Sequence, residues 1–291
     1  VPYHKSYFVG FLMDGILLLE KQKETDHYQI QSLPINSGVF CLKKDRFQDV
    51  VWIGTDGQGV YLYSNPLYSI KSMVLSNYTE KIERPVRAIY LDDERTFWVG
   101  TKGNGILKIY DYEFDKNISD CRAEVLTTSN SALSSNAVYC FAKSHRNLLW
   151  IGDEEGLTYY SYREKRIKSI PIRIGNEDFK YIHGIYETAD SELWLASVGM
   201  GVVKARIAGT PDNPVIVDAQ RYIINDGELG SNYFFTIYAE NEANLLFGNK
   251  GYGVFRYNET TNGLEPVSTH KYENMTLNNI CLLYTSPSPR D

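Results

Sequence analysis

The string Val51-Trp52-Ile53-Gly54-Thr55-Asp56-Gly57-Gln58-Gly59-Val60-Tyr61-Leu62-Tyr63 joins a short apolar run, a glycine turn and a second apolar run, and the chain keeps returning to it. Phe97-Trp98-Val99-Gly100-Thr101-Lys102-Gly103-Asn104-Gly105-Ile106 repeats it closely. Looser copies pass through Leu149-Trp150-Ile151-Gly152, Leu193-Trp194-Leu195-Ala196 and Leu245-Leu246-Phe247-Gly248, the last with Leu246 in the tryptophan place. Phe8-Val9-Gly10, followed by Asp14-Gly15-Ile16, has the same spacing with Phe8 in that place. The six positions Phe8, Trp52, Trp98, Trp150, Trp194 and Leu246 step by 44, 46, 52, 44 and 52 residues. Periods of about 40–50 residues, with several short strands per unit and a tryptophan signature, belong to propeller blades rather than helical solenoids. The expected fold is all-β: a β-propeller of four-stranded antiparallel blades, six repeat units of a larger array.

The repeat spans almost all of the 291 residues, so one domain is expected over 1–284. Residues 285–291, with two prolines and no trace of the repeat, read as an artefactual, non-propeller tail. The first unit lacks its first strand, and Leu277-Asn278-Asn279-Ile280 starts as a further unit would; either that strand completes the first blade and shuts a six-bladed ring, or the chain is a piece of a longer array, the reading favoured here. A formal charge of −6 without a Lys/Arg cluster argues against a nucleic-acid partner. No stretch approaches the roughly 18 continuous apolar residues of a membrane span. Val9–Met13 and Ile16–Leu19 come nearest, but Asp14-Gly15 divides them, and both are expected to be strands.

Each unit repeats one grammar. First strands are expected at Val39–Lys44, Val86–Leu91, Val138–Lys143, Ile182–Glu187 and Phe234–Ala239, each followed by the tryptophan strand, the glycine turn and a third strand. Fourth strands are expected at Tyr68–Leu75, Glu124–Thr127, Ile167–Ile172 and Val215–Tyr222. Two residues into each first strand stand Cys41, Ala88, Cys140, Gly184 and Thr236, small side chains suited to crowded inner strands. Cys41 and Cys140 are therefore read as buried small residues. The four cysteines show no zinc spacing, and neither a metal nor a cofactor is expected. The glycines of Asp56-Gly57-Gln58-Gly59 and Lys102-Gly103-Asn104-Gly105 serve hairpins, because a strand follows where a phosphate-binding motif needs a helix. The tryptophans are expected between adjacent blades, each worth at most about 4–6 kcal/mol of transfer free energy.

Ser134-Ser135-Asn136-Ala137-Val138, followed by Trp150-Ile151-Gly152, and the string from Trp52 to Val60 resemble the two-component regulator propeller repeat. The resemblance covers nearly the whole chain up to Ile280. That repeat builds the sensor region of hybrid two-component histidine kinases typical of Bacteroidetes. There two propellers precede an immunoglobulin-like module, a membrane span, and kinase and response-regulator parts. The resemblance implies a periplasmic domain without catalysis of its own. It would bind an oligosaccharide, alter a sensor homodimer, and so control phosphorelay and transcription of polysaccharide-utilisation genes. Its membrane attachment would come only through a downstream segment.

Propeller ligands gather where loops of several blades converge, which makes the loops entering the first strands the candidate site. Two residues before each strand stand Ser37, Arg84, Asn136, Lys180, Asn232 and Asn278, and just inside it Phe40, Arg87, Tyr139, His183 and Phe235. Polar donors beside aromatic faces suit a sugar, whose hydroxyls take hydrogen bonds while its C–H face stacks on a ring. Arg84, Arg87, Asn136, Tyr139, Lys180, His183 and Asn232 are the candidate ligand-binding residues. Lys102, Lys250 and Tyr252 are expected on the same face. Asparagine in such loops also serves to bond the backbone. His4, His27, His145, His183 and His270 show no motif linking them to a nucleophile, no G-x-S-x-G elbow exists, and no acid–base carboxylate pair stands out. A propeller lyase or glycosidase, or a protein-interaction scaffold, are the alternatives to a sensor.

Overall fold

A computed structural model describes residues 1–3, 6–21, 28–46, 49–64, 71–73, 82–112, 121–225 and 230–267. The expected strand Leu277–Ile280, the tail, Cys281, His4, His27, His270 and Asn278 lie outside them.

The fold is an all-β propeller of six four-stranded antiparallel blades. Blade 1 comprises Pro2–Tyr3, Ser6–Gly10, Ile16–Lys21 and Tyr28–Ser32. Blade 2 comprises Val39–Lys44, Val50–Thr55, Val60–Ser64 and Lys71–Met73, and blade 3 Val86–Leu91, Phe97–Thr101, Ile106–Ile109 and Ala123–Leu126. Blade 4 follows with Val138–Lys143, Leu148–Asp153, Leu157–Ser161 and Arg166–Ile170. Blade 5 is built of Ile182–Glu187, Glu192–Ser197, Gly201–Thr210 and Asn213–Tyr222, and blade 6 of Phe234–Asn241, Asn244–Asn249, Gly253–Asn258 and Gly263–Pro266. Blades 1–3 form one compact unit and blades 4–6 a second. The first strands of blades 2 and 3, of blades 4 and 5 and of blades 5 and 6 are neighbours, and the second strand of blade 1 lies beside the first strand of blade 2.

Three expectations need correction. Blade 1 does have a first strand, the two residues Pro2–Tyr3 paired with Tyr7 and Ser6. Phe11–Met13 is turn rather than strand, with Met13 exposed, because these residues occupy the place of Thr55–Gly57 in the repeat. The outer strands of blade 5 run to ten residues each, and their tip reaches back to blade 4, where Asp212 pairs with Arg163 and Lys168 bonds Asn213. A small hairpin, Arg173–Ile174 with Glu177–Asp178, precedes blade 5.

Trp52, Trp150 and Trp194 join blades. Trp52 is fully buried, its ring 4.5 Å from Phe97 and 5.1 Å from Tyr112 of blade 3. Trp194 packs on Tyr257 and Phe247 of blade 6 at 4.7 and 5.8 Å. Phe8 fills the same place in blade 1, 4.8 Å from Tyr63 of blade 2. A buried indole N–H needs an acceptor. The indoles of Trp52 and Trp98 donate to Asp45 and Asp92 in their own blades, each at 2.9 Å. Trp150 has Ser144 where Trp98 has Asp92, and donates at 2.6 Å to Glu187 of blade 5.

Gly54 and Gly152, two residues after Trp52 and Trp150, have a packing reason. A Cβ on Gly54 would lie 2.3 Å from Cys41 Sγ and 3.1 Å from Val86 of the next blade. On Gly152 it would lie 2.5 Å from Cys140 Sγ and 2.6 Å from the Ile182 carbonyl oxygen. The small first-strand residues therefore pair with these glycines, Cys41 opposite Gly54 and Cys140 opposite Gly152. Blade 5 exchanges the two sizes: Gly184 faces Ala196. Cys41 is buried, as expected, while Cys140 is half-buried; desolvation pushes the Cys41 thiol up to about 12 and raises that of Cys140 as well.

Candidate functional site: the bulged first strands

In five blades the ladder between first and second strand skips one residue. Val39 pairs with Thr55 and Cys41 with Gly54, leaving Phe40 without a partner position; the skipped residues in the next four blades are Arg87, Tyr139, His183 and Phe235. Two residues then oppose one, a β-bulge, which re-aims a side chain and is common beside functional sites. The flanking opening residues Val39, Val86, Val138, Ile182 and Phe234 are buried, while the bulged residues are all half-buried. One extra residue thus turns the same position toward solvent in blade after blade.

The turned side chains meet their counterparts in the adjacent blade. In the first unit the Arg87 guanidinium lies 3.5 Å from the centre of the Phe40 ring, a cation–π contact. In the second, Tyr139 and His183 stack at 4.1 Å with planes 14° apart, and Phe235 meets His183 edge-on at 5.4 Å. Each unit therefore carries a row of ring faces and nitrogen donors, Phe40–Arg87 in one and Tyr139–His183–Phe235 in the other.

The loops leading into these strands are pinned by the turns that follow the second strands. Asp56, Lys102, Glu154, Val198 and Lys250 donate backbone N–H groups to the carbonyls of Gly38, Pro85, Ala137, Tyr181 and Tyr233. Lys102, Lys250 and Tyr252 therefore flank the loops, all three exposed. Arg84 is exposed, its backbone N–H held by Asn104 Oδ1 at 2.8 Å while its side chain passes Gly103. Lys180 is ion-paired with Glu155, whose hydrogen bond and charge raise the ammonium above its usual range. The two asparagines are occupied by their own loops: Asn136 Oδ1 accepts from the Thr128 N–H at 2.9 Å, and Asn232 bonds both backbone groups of Ile224. They shape the face, whereas Arg84, Arg87, Tyr139 and His183 furnish it.

Beneath the face, fully buried polar side chains close the second strands at Thr55, Thr101, Asp153, Ser197 and Asn249. Thr55 and Thr101 hold the glycine turn, bonding the carbonyls of Gly59 and Gly105. Asp153 does so with two backbone N–H groups, of Glu155 and Gly156, and also accepts from Ser134 Oγ at 2.6 Å. Burial outweighs these bonds and raises its carboxyl to about 6. An unfolded aspartic acid titrates near 3.9. Between those values the native chain holds the extra proton, so the contribution of Asp153 to stability is greatest at acidic pH and falls as pH rises from about 4 through 6, by up to about 3 kcal/mol. Asp153→Asn, which places in blade 4 the residue blade 6 has at Asn249, should flatten that slope in urea unfolding at pH 4.5 and 7.5. An unchanged slope would assign it elsewhere.

No protein-family profile matches the chain. Among solved structures, the extracellular domain described as belonging to a hybrid two-component system (BT3049) of B. thetaiotaomicron superposes with a TM-score of 0.65 at 21% identity, over 91% of this chain and 33% of that one. PorZ, a surface component of the type-IX secretion system of Porphyromonas gingivalis, superposes at 0.58 with 14% identity, over 84% of this chain and 36% of its own. At these identities the likeness is one of fold, and the chain spans about a third of each structure. Translation initiation factor 6 of Saccharolobus solfataricus is 31% identical over 140 residues, 44% of this chain and 57% of that protein. That match takes in fewer than half of this chain's residues, whereas the solved-structure superpositions run through most of the blades.

Proposed function

We propose that this chain is the extracytoplasmic sensing domain of a two-component signalling protein, placed in the periplasm, and that it binds an oligosaccharide at the bulged first strands of a unit. The recurrence of the bulge at Phe40, Arg87, Tyr139, His183 and Phe235 carries the reading. Packing alone gives no reason to turn five equivalent half-buried side chains out of the ladder, and a bulged, unpaired residue weakens the sheet locally. A row of aromatic faces and nitrogen donors matches the two-sided chemistry of a sugar ring, apolar on its C–H face and polar at its hydroxyls. The propeller fold shared with an extracellular domain described as part of a hybrid two-component system supports the signalling role. In such a sensor, occupancy of this site would bias a homodimer and set kinase output and transcription of polysaccharide-utilisation genes.

Calorimetric titration against plant and host oligosaccharides, with released reducing ends assayed in the same tubes, tests this. The expected result is saturable binding without turnover, weakened at least tenfold by His183→Ala or Arg87→Ala while the free energy of unfolding in urea stays within about 1 kcal/mol of wild type. Turnover would make the protein a propeller lyase or glycosidase. Silence on both assays would favour an interaction scaffold.

A further inference from the structure

The residue just before each first strand is Gly38, Pro85 or Ala137 in blades 2–4, and tyrosine in blades 5 and 6. Tyr181 is 42% exposed and Tyr233 44%. An exposed tyrosine alone is ordinary, but Tyr181 adopts φ = 55°. A bulky aromatic residue in the left-handed region is an outlier that persists only where its surroundings over-determine it. Here two backbone bonds do so: the Tyr181 N–H donates to Glu154 at 3.0 Å, and its carbonyl accepts from Val198 at 3.1 Å. Glycine would satisfy both bonds without strain. A large ring at this strained site, 42% exposed, points to use of the ring itself.

Val198 joins the two tyrosines. It bonds Tyr181 on one side and forms a β-bridge with Tyr233 on the other, so the three residues lie abreast. Two strand spacings put Tyr181 and Tyr233 about 10 Å apart, roughly the reach of two linked sugar rings. Lys250 sits 5.6 Å over the Tyr233 ring, and the bulged His183 follows Tyr181 by two residues.

We propose that Tyr181 and Tyr233 form a two-ring stacking platform on the second unit that selects oligosaccharides long enough to cover both, with the backbone strain at Tyr181 retained for that purpose. The proposal rests on the carbohydrate reading above and adds a length requirement and two residues to it. Ladders of one to six residues of gluco-, xylo- and galacturono-oligosaccharides provide the test, titrated into wild-type protein, Tyr181→Ala, Tyr233→Ala, Tyr233→Phe and His183→Ala. The expected result is affinity that climbs with length and then levels, a loss of tenfold or more for the long members in each alanine variant, and retention in Tyr233→Phe, which keeps the ring. Tyr181→Gly should bind as weakly as Tyr181→Ala yet unfold at a higher urea concentration, which a merely structural tyrosine would not do. Binding that His183→Ala weakens but the tyrosine variants leave intact would overturn the platform and leave the sensor reading standing. A lower midpoint for Tyr181→Gly would overturn the strain argument, and no binding of any ladder by wild type would overturn both readings.

Discussion

Trp150→Ala should lower the free energy of unfolding by about 5 kcal/mol. Removing a buried tryptophan from a core typically costs about 3–5 kcal/mol. This indole is fully buried, in the cluster where blade 4 meets Phe179, Ile182, Leu193 and Leu195. The substitution also withdraws the N–H donor from Oε2 of Glu187, a carboxylate only 4% exposed that keeps the Arg146 ion pair at 3.7 Å on its other oxygen, and a buried acceptor left unsatisfied adds roughly 1–3 kcal/mol. Because whole domains are stable by only about 5–15 kcal/mol, the variant should sit close to unfolding at room temperature. Trp150→Phe keeps most of the ring and loses the donor, so it should cost about half as much. Urea unfolding followed by circular dichroism reads both. A loss below about 1 kcal/mol for Trp150→Ala would mean that the indole does not tie blade 4 to blade 5.

Gly152→Ala and Gly54→Ala should both destabilise, and second-site changes should separate them. Overpacking a tight core typically costs about 1–3 kcal/mol and occasionally more. At Gly54 the severe clash is with the Cys41 side chain at 2.3 Å. Cys41→Gly should therefore rescue Gly54→Ala, reproducing in blade 2 the arrangement blade 5 uses, with Gly184 opposite Ala196. At Gly152 the new methyl would also meet the Ile182 carbonyl oxygen at 2.6 Å, and backbone cannot rotate away. Cys140→Gly should leave at least half of the Gly152→Ala loss in place, a non-additivity that a double-mutant cycle measures directly. Equal rescue at both sites would show that the two blades pack alike and that the Ile182 carbonyl yields.

The strands were legible because their signals are local. Tryptophan strands, Gly-x-Gly hairpins and small inner residues each answer one steric demand, and the first strands of blades 2–5 begin and end where the alternation placed them. The bulges were not legible, since Val39–Lys44 and Val50–Thr55 are both six residues long and the skipped position shows only in their pairing. The column Phe40, Arg87, Tyr139, His183 and Phe235 stood out by residue type, yet what turns it from the ladder is register, a property of two strands together. Tyr181 and Tyr233 escaped notice because the same place holds glycine, proline and alanine in blades 2–4, and a positive φ on tyrosine has no sequence mark. The bond from Trp150 to Glu187 was hidden for a similar reason: the acceptor lies in the next blade, 37 residues away.

Hydrogen–deuterium exchange of the chain, with and without each member of the oligosaccharide panel, measures most directly whether the bulged strands form the binding face. A bound sugar should slow exchange in the bulged first strands of the unit it occupies, 136–143, 180–187 and 232–239 in the second or 37–44 and 84–91 in the first, and leave the outer strands Gly201–Thr210 and Asn213–Tyr222 unchanged. Slowing confined to those outer strands, or no slowing with any member of the panel, would contradict the account.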